Sequence, residues 1–216
     1  MGGHLRSDGT RQAITDAAVQ LFAEAGYGNV TLSDVIARAG VTKGSLYYHF
    51  ATKEALAKAL IEHAYAGLVH ALPEVPAGDS RSGAALENLI RATFAMADLT
   101  QRDRKIQIGL QLDHGLRQIN HGGRANFGDT RAIFAVLLER AVVDGDLVED
   151  ADPAGIAHVL RCGMSGTYLI SQANGEDIAV GMAHIWRLIL RGNVSAQAAP
   201  FFEQFLDRTV AQYRKD

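Results

Sequence analysis

The segment GVTKGSLYYHF, residues 40–50, concentrates side chains that can hold a phosphate or contact the edge of a base. Lysine can reach a guanine edge, hydroxyls and helix N-terminal amides can bind phosphate oxygens, and a tyrosine ring can pack on a thymine methyl group. A core helix would not carry so many polar tips, and a merely solvated helix would not need the tyrosines. The segment therefore indicates a binding surface, and its candidate residues are Thr42, Lys43, Gly44, Ser45, Tyr47, Tyr48 and His49.

Two predicted helices precede this segment and must position it. Apolar residues at three- and four-residue intervals predict an amphipathic helix over 7–25, which Gly26 ends. Thr31 stands three residues before Asp34, an acidic variant of the capping box that opens a second helix. Gly40 breaks that second helix.

A short third helix over 43–49, with Thr42 as its N-cap, completes a helix–turn–helix pattern. In this motif the second helix enters the DNA major groove by its N-terminal end. Thr31 and Lys53, which flank the motif, join the candidates as phosphate contacts. By spacing alone, the third helix could instead be a solvated connector between two core helices. Residues 1–65 hold six basic and six acidic side chains, so DNA binding would depend on where the charges lie.

The whole chain has 216 residues, is 48% hydrophobic and 21% charged, and has a formal net charge of −3. This composition supports a folded core and excludes a general basic attraction to nucleic acid or anionic membranes. Cys162 is the single cysteine, so no intramolecular disulfide forms and a reducing, cytoplasmic location is expected. The N-terminus has no signal-peptide pattern, and no apolar run reaches the length of a membrane span.

Helix-type spacing and only four prolines predict an all-α fold. Thr52 caps a fourth helix, and residues 73–83 and 118–124 read as loops. KIQIGLQL, 105–112, alternates like a strand, but it has no partner strand and is assigned as a helix. Asp152 and Pro153 give a strong helix start. The remaining predicted helices span about 84–98, 125–143, 153–172, 177–190 and 200–213.

The run TLSDVIARAGVTKGSLYYHFATKEAL resembles the DNA-binding segment of the TetR family of bacterial transcriptional regulators. The resemblance covers about residues 10–60. In that family, the positions that match Thr31, Lys43, Ser45, Tyr47, Tyr48, His49 and Lys53 lie at or near DNA. GVTKGSLYYHFATKEALA and AHVLRCGMSGT are most similar to γ-butyrolactone-type autoregulator receptors of actinomycetes. The resemblance implies a C-terminal part that binds a small effector and dimerises.

The effector residues of those receptors are only partly matched. Thr167 matches a threonine that faces the ligand, but Ala64 stands where a glutamine is frequent, and no tryptophan occurs in 118–143. The resemblance therefore implies a furan-type or butenolide signal, or a lost ligand, as alternatives to a butyrolactone. Tyr65, Gln107 and Gln111 complete the candidate ligand-binding set. A solvated stripe is the alternative for the two glutamines, and core packing for Tyr65. For Thr167 the alternative is a hydroxyl that bonds back to a carbonyl of its own helix.

Other chemistry receives little support. His158 and Cys162 have a metal-compatible spacing, but two ligands are too few. Ser165 lies in GMSGT, which lacks the Gly-X-Ser-X-Gly pattern, and Gly163 and Gly166 more simply permit close helix packing. We therefore expect no catalytic residues, no metal and no cofactor, and the chain is not predicted to be an enzyme.

The sequence predicts a helix–turn–helix domain over 1–50, a connecting helix over about 52–70, and a ligand-binding and dimerisation domain over 51–216. The predicted function is repression of transcription by a homodimer on palindromic double-stranded DNA, relieved by a small effector and without membrane contact. The alternative is a helical enzyme or small-molecule carrier that uses the same C-terminal cavity. The predicted dimer surface combines the helix at 153–172 with a stripe on the last helix, formed by Phe201, Phe205, Leu206 and Val210. The alternative is that this stripe packs only within its own subunit.

Overall fold

The computed structural model describes residues 2–72, 84–119 and 130–214, the side chains of 2–6 and 117–119 excepted. These residues form ten α-helices and no strand, which confirms the all-α prediction. The helices are α1 (Gly2–Ala25), α2 (Leu32–Ala39), α3 (Lys43–His49), α4 (Lys53–His70), α5 (Ala85–Arg102), α6 (Arg104–Ile119), α7 (Thr130–Val143), α8 (Pro153–Asn174), α9 (Ile178–Asn193) and α10 (Ala199–Tyr213).

The helices divide between two units. The first comprises Met1–Gly67 and the segment from Asp103 that contains α6, and the second comprises Leu68–Arg102 and the helices from α7 onward. The boundary falls within α4. The predicted division at residue 50 separates DNA binding from effector binding and dimerisation, not two packed units, and it stays a prediction.

The core of the first unit holds the helix–turn–helix in place. α1 contributes Ile14, Ala18 and Phe22, while α2 and α3 each insert one fully buried residue, Val35 and Leu46. Gly26 and Gly40 end α1 and α2 at positive φ, 78° and 64°, where other residues would be strained. The remaining core residues of this unit include Val30, Phe50, Leu56, Leu60 and Ile61.

α6 completes this core through a very close approach to α4. A Cβ atom at Gly109 would lie 2.5 Å from the Leu60 carbonyl oxygen and 2.6 Å from the Ala64 side chain. Only glycine permits this contact, and α6 then buries Ile108 and Leu112 in the first unit. The strand-like alternation in KIQIGLQL therefore belongs to a helix, as predicted.

The second unit packs α5, α7, α8, α9 and α10 around large side chains. Phe94, Phe134 and Trp186 are almost fully buried. The Trp186 indole donates a hydrogen bond of 2.8 Å to the Thr93 hydroxyl, which satisfies its one polar group. A Cβ at Gly163 would lie 2.7 Å from Ile185, which confirms close packing of α8 on α9 there.

Several details differ from the sequence-based expectations. α1 begins five residues earlier than predicted and α5 ends four residues later. α6 reaches Ile119, so residues 118 and 119 of the predicted loop at 118–124 are helical; residues 120–124 and the predicted loop at 73–83 lie outside the described residues. Gly166 has no neighbour within 4 Å of a built Cβ, so its predicted packing role is wrong within this chain.

Candidate DNA-binding surface and effector-site residues

A capping box fixes the start of α2. The Thr31 hydroxyl accepts from the Asp34 amide, and the Asp34 carboxylate accepts from the Thr31 amide at 2.8 Å. The Thr31 hydroxyl also donates to that carboxylate at 2.7 Å. These bonds, from the hydroxyl first and the amide second, hold the pKa of Asp34 below its usual value. Thr31 is exposed, so it lies at the surface as its predicted DNA contact requires.

Thr42 fixes the start of α3 in the same way. Its hydroxyl accepts from the Ser45 amide at 3.1 Å and contacts the Ser45 hydroxyl at 3.0 Å. These bonds set the direction of α3 after the Gly40 turn. The first turn of α3 is therefore capped by a side chain of the chain itself.

α3 has one buried side and one exposed side. Leu46 is fully buried and Phe50, which follows the helix, is 4% exposed. The opposite side carries Tyr47 and Tyr48, which are 45% and 81% exposed. Lys43 and Gly44 are exposed beside them, while Ser45 and His49 are half-buried. The two anchors therefore aim the predicted DNA-binding residues of α3 outward.

Aromatic contacts organise this exposed side. The Lys43 ammonium lies 5.9 Å from the centre of the Tyr47 ring. The ring edge of His49 meets Tyr48, with ring centres 5.1 Å apart. Next to α3, the first residue of α4, Lys53, places its ammonium 4.2 Å from the centre of the Tyr27 ring.

The ion pairs that the structure describes in the first unit involve basic residues other than Lys43 and Lys53. Arg38 contacts Glu24 through its two terminal guanidinium nitrogens, at 3.1 and 2.9 Å, and this contact lowers the pKa of Glu24. Lys58 pairs with Glu62 on α4. Among the described residues Lys43 and Lys53 form no ion pair, so the first unit offers positive charge at α3 and the start of α4 despite its neutral balance.

The predicted effector residues fall in both units. Tyr65, Gln107 and Gln111 belong to the first unit, where the Tyr65 hydroxyl donates to Asp113 at 2.8 Å. Gln107 is half-buried and Gln111 is exposed. Asp113, which follows the apolar run of α6, was not predicted, because no local pattern distinguishes it from other polar residues of this helix. The four-residue set stays a prediction.

Thr167 lies in the second unit with its side chain against α9. A Cβ at Gly181 would clash with the Thr167 methyl group, so glycine there makes room for the threonine. Ala64, which replaces the glutamine frequent in the receptors, is fully buried beside Gly109. Position 64 therefore serves helix packing in this chain.

An open cleft of about 390 Å³ lies between α9 and α10, away from Thr167. An ion pair of 3.0 Å between Arg187 and Asp207 crosses it. None of the predicted effector residues lines this cleft. Its walls are formed by Arg187, Leu190, Arg191, Val194, Ala199, Phe202, Glu203, Leu206 and Asp207.

The predicted dimer stripe on α10 is partly wrong. Phe205 and Leu206 are buried within their own subunit, and Arg91 lies over the Phe205 ring at 4.7 Å. Phe201 is 45% exposed and remains available. α8 carries three further exposed apolar residues, Val159, Leu169 and Ile170.

The His158 and Cys162 pair is exposed on α8, with Nε2 and Sγ 3.7 Å apart. No group of three or more potential metal ligands occurs among the described residues. In the same part of the chain, no helix is both long and apolar enough to cross a membrane.

Comparisons with known protein families agree with this arrangement. Residues 14–60 match the model of the bacterial regulatory proteins of the TetR family, and residues 83–195 match the tetracyclin repressor-like C-terminal domain. The second match alone covers more than half of the chain. The chain belongs to the TetR family.

Individual relatives refine this assignment. The A-factor receptor protein of Streptomyces griseus is 28% identical over 192 residues, which cover 88% of this chain and 66% of that receptor. The matched region thus spans slightly less than two thirds of the receptor's length. CprB from Streptomyces coelicolor A3(2) is 32% identical, with a TM-score of 0.75 over 93% of this chain and 97% of CprB.

Two further solved structures are similar over nearly the whole chain. An ArpA-like γ-butyrolactone receptor is 30% identical with a TM-score of 0.74, covering 95% of this chain and 99% of that one. CprB from Streptomyces coelicolor in complex with its biological operator sequence is 30% identical with a TM-score of 0.76, covering 96% and 99%. The chain thus resembles receptors of this group throughout its length.

Proposed function

We propose that this chain is a transcriptional repressor that binds a palindromic operator as a homodimer in the cytoplasm and leaves it when a small signalling molecule binds. The observation that carries the proposal is the exposed side of α3. Lys43, Tyr47 and Tyr48 face outward there, while Leu46 and Phe50 fix the helix in the core. The operator complex of CprB supports the same use of the fold.

The proposed regulation is thermodynamic linkage between effector and DNA. In a dimer the two copies of α3 must be spaced to match the two halves of the operator. An effector that binds better to a conformation with another spacing shifts the dimer away from its operator. A coupling of about 1–3 kcal/mol would lower DNA affinity roughly 5- to 150-fold. The proposed functional division places DNA binding in residues 1–50 and effector binding and dimerisation in residues 51–216.

The proposed effector is a butyrolactone, furan or butenolide. The names of the A-factor receptor and the γ-butyrolactone receptor support this class. Ala64 and the absence of tryptophan from 118–143 favour a ligand other than the usual butyrolactone. Tyr65, Gln107, Gln111 and Thr167 are the proposed contacts.

A gel shift with the DNA upstream of the chain's own gene tests the proposal. The wild-type protein should retard this fragment at nanomolar to submicromolar concentration, and one of the three ligand classes should release it. An enzyme or small-molecule carrier with the same fold would bind a ligand of this kind and leave the DNA unshifted. The relatives named above are regulators, and no observation on this chain favours the alternative.

A further inference from the structure

We propose that Tyr27 is a positioning residue that holds the Lys53 ammonium ready for a DNA phosphate. The inference rests on the proposed DNA-binding function and adds a residue from outside the helix–turn–helix. The Lys53 ammonium lies 4.2 Å from the centre of the Tyr27 ring, a short cation–π distance. The corresponding distance from Lys43 to Tyr47 is 5.9 Å, near the limit for such contacts.

The position of the Tyr27 ring is fixed by the backbone turn that carries it and by its packing on the core. It lies in the short 3₁₀ turn Tyr27–Asn29 that joins α1 to α2, directly after the positive-φ residue Gly26. Its edge packs on Phe22, with ring centres 5.3 Å apart and planes at 63°, and Phe22 is itself buried in the core. A lysine resting on this ring therefore loses much of its rotamer freedom before DNA arrives.

The ring face, rather than the hydroxyl, makes the useful contact. The Tyr27 hydroxyl oxygen is buried and has no hydrogen-bond partner of normal geometry among the described residues. Burial first, and the negative charge of Glu54 second, raise the pKa of Tyr27, so the ring stays neutral. Phenylalanine at this position should serve equally well.

A cation–π contact suits a phosphate-binding lysine better than an ion pair does. A carboxylate partner would neutralise the ammonium and occupy its hydrogens, whereas the ring leaves the positive charge intact. Glu54, the neighbour of Lys53, is bound mainly at the helix start, where its own amide and then the Thr52 hydroxyl lower its pKa; the charge of Lys53 and the Tyr27 hydroxyl lower this pKa further, but to a smaller extent. Lys53 thus presents its ammonium four residues after His49, the end of α3.

The test replaces Tyr27 in the full-length chain with phenylalanine carrying zero, one, two or three ring fluorines. Fluorine weakens the attraction of the ring for a cation and changes its size little. Binding is measured on the DNA upstream of the chain's own gene and on a random-sequence duplex of the same length. Tyr27→Phe should bind both duplexes like wild type, and three fluorines should weaken binding about two- to fivefold, or about 0.5–1 kcal/mol.

The same fluorinated series is repeated in a Lys53→Met chain. This distinguishes an effect of Tyr27 on the position of Lys53 from an effect of Tyr27 on folding. Lys53→Met should reduce the slope of log affinity against log salt by about 0.9 for the lost phosphate contact of each subunit. Fluorination should then have no further effect. An affinity that does not depend on fluorine number in the wild-type background, or an equal loss in both backgrounds, would overturn the inference. If the unmodified chain binds neither duplex, the proposed function fails, and the inference with it.

Discussion

Lys105 of α6 places its ammonium 2.8 Å from the Asp16 carboxylate of α1 and 3.3 Å from the Thr15 hydroxyl. Its side chain is 14% exposed, whereas that of Asp16 is 51% exposed. The pair therefore joins a largely buried cation to a half-solvated anion. It ties α6 to the first helix of the first unit, beside the glycine contact between α6 and α4.

Loss of Asp16 should cost more stability than loss of Lys105. Asp16→Asn leaves a mostly buried ammonium without its anion and should lower the free energy of unfolding by about 1–2 kcal/mol. Lys105→Met leaves a solvated aspartate that still accepts from Gln12, and should cost less than about 0.5 kcal/mol. Urea unfolding of both variants measures the difference, and an equal or reversed cost would contradict it.

Asp146 should weaken the fold at neutral pH. Burial, and then the charges of Asp144 and Glu87, raise its pKa to about 6. The Oδ2 atoms of Asp144 and Asp146 are buried and have no hydrogen-bond partner among the residues that the structure describes. The folded protein therefore binds a proton that the unfolded chain releases between about pH 4 and 6. Stability falls as pH rises through this range and stays reduced above it.

Asp146→Asn should remove this penalty. Because the group is partly exposed, we expect a gain of only about 1 kcal/mol at pH 8, or a rise in Tm of about 2–4 °C. At pH 5 wild-type Asp146 is already largely protonated in the folded state, so the gain should shrink. Thermal unfolding at the two pH values measures it, and a gain that is larger at pH 5 would contradict the assignment.

Local signals in the sequence were sufficient for the helix–turn–helix. Thr31, Gly40 and Thr42 define the ends of α2 and α3 through caps and one left-handed turn, which are interactions within a few residues. The exposed side of α3 follows because Leu46 is the only large aliphatic side chain of that helix. The predicted bounds of α2 and α3 were therefore confirmed to the residue.

Long-range packing could not be predicted in the same way. The apolar residues Phe205 and Leu206 look identical in the sequence whether they face a partner or their own subunit. The contact of Lys53 with Tyr27 joins residues 26 positions apart, and nothing in the local pattern predicts it. The effector set depends on such distant contacts too, and therefore stays a prediction.

α8 should supply part of the dimer surface. Val159→Glu places a charge in its exposed apolar group and should shift the protein from dimer to monomer at micromolar concentration, because burying the carboxylate would be costly. Val143→Glu is the matched control, since this valine is 79% exposed at the end of α7. Light scattering measures both, and a Val159→Glu protein that stays dimeric would remove this face of α8 from the interface.

Thr167 should bind the effector through its hydroxyl. Thr167→Val keeps the shape of the side chain beside Gly181. It should weaken effector binding by about 1–2 kcal/mol, or roughly tenfold. DNA affinity without ligand should barely change. The control is Thr209→Val, whose buried hydroxyl donates to the Phe205 carbonyl of its own helix at 2.9 Å.

The measurement is the concentration of the active lactone, furan or butenolide that releases half of the operator DNA. Thr167→Val should raise this concentration and Thr209→Val should leave it unchanged. If Thr167→Val leaves it unchanged, the hydroxyl does not bind the ligand, and the search moves to Tyr65, Gln107 and Gln111.

The central claim is that the exposed side of α3 reads DNA, and the most direct measurement is operator affinity of three alanine variants. Lys43→Ala and Tyr47→Ala should each weaken binding to the DNA upstream of the gene, with about 1–3 kcal/mol lost if Lys43 contacts a guanine edge. Lys58→Ala removes the same charge from the exposed side of α4 and should bind like wild type. All three should remain folded dimers. Unchanged affinity in both α3 variants, or an equal loss in Lys58→Ala, would contradict the account.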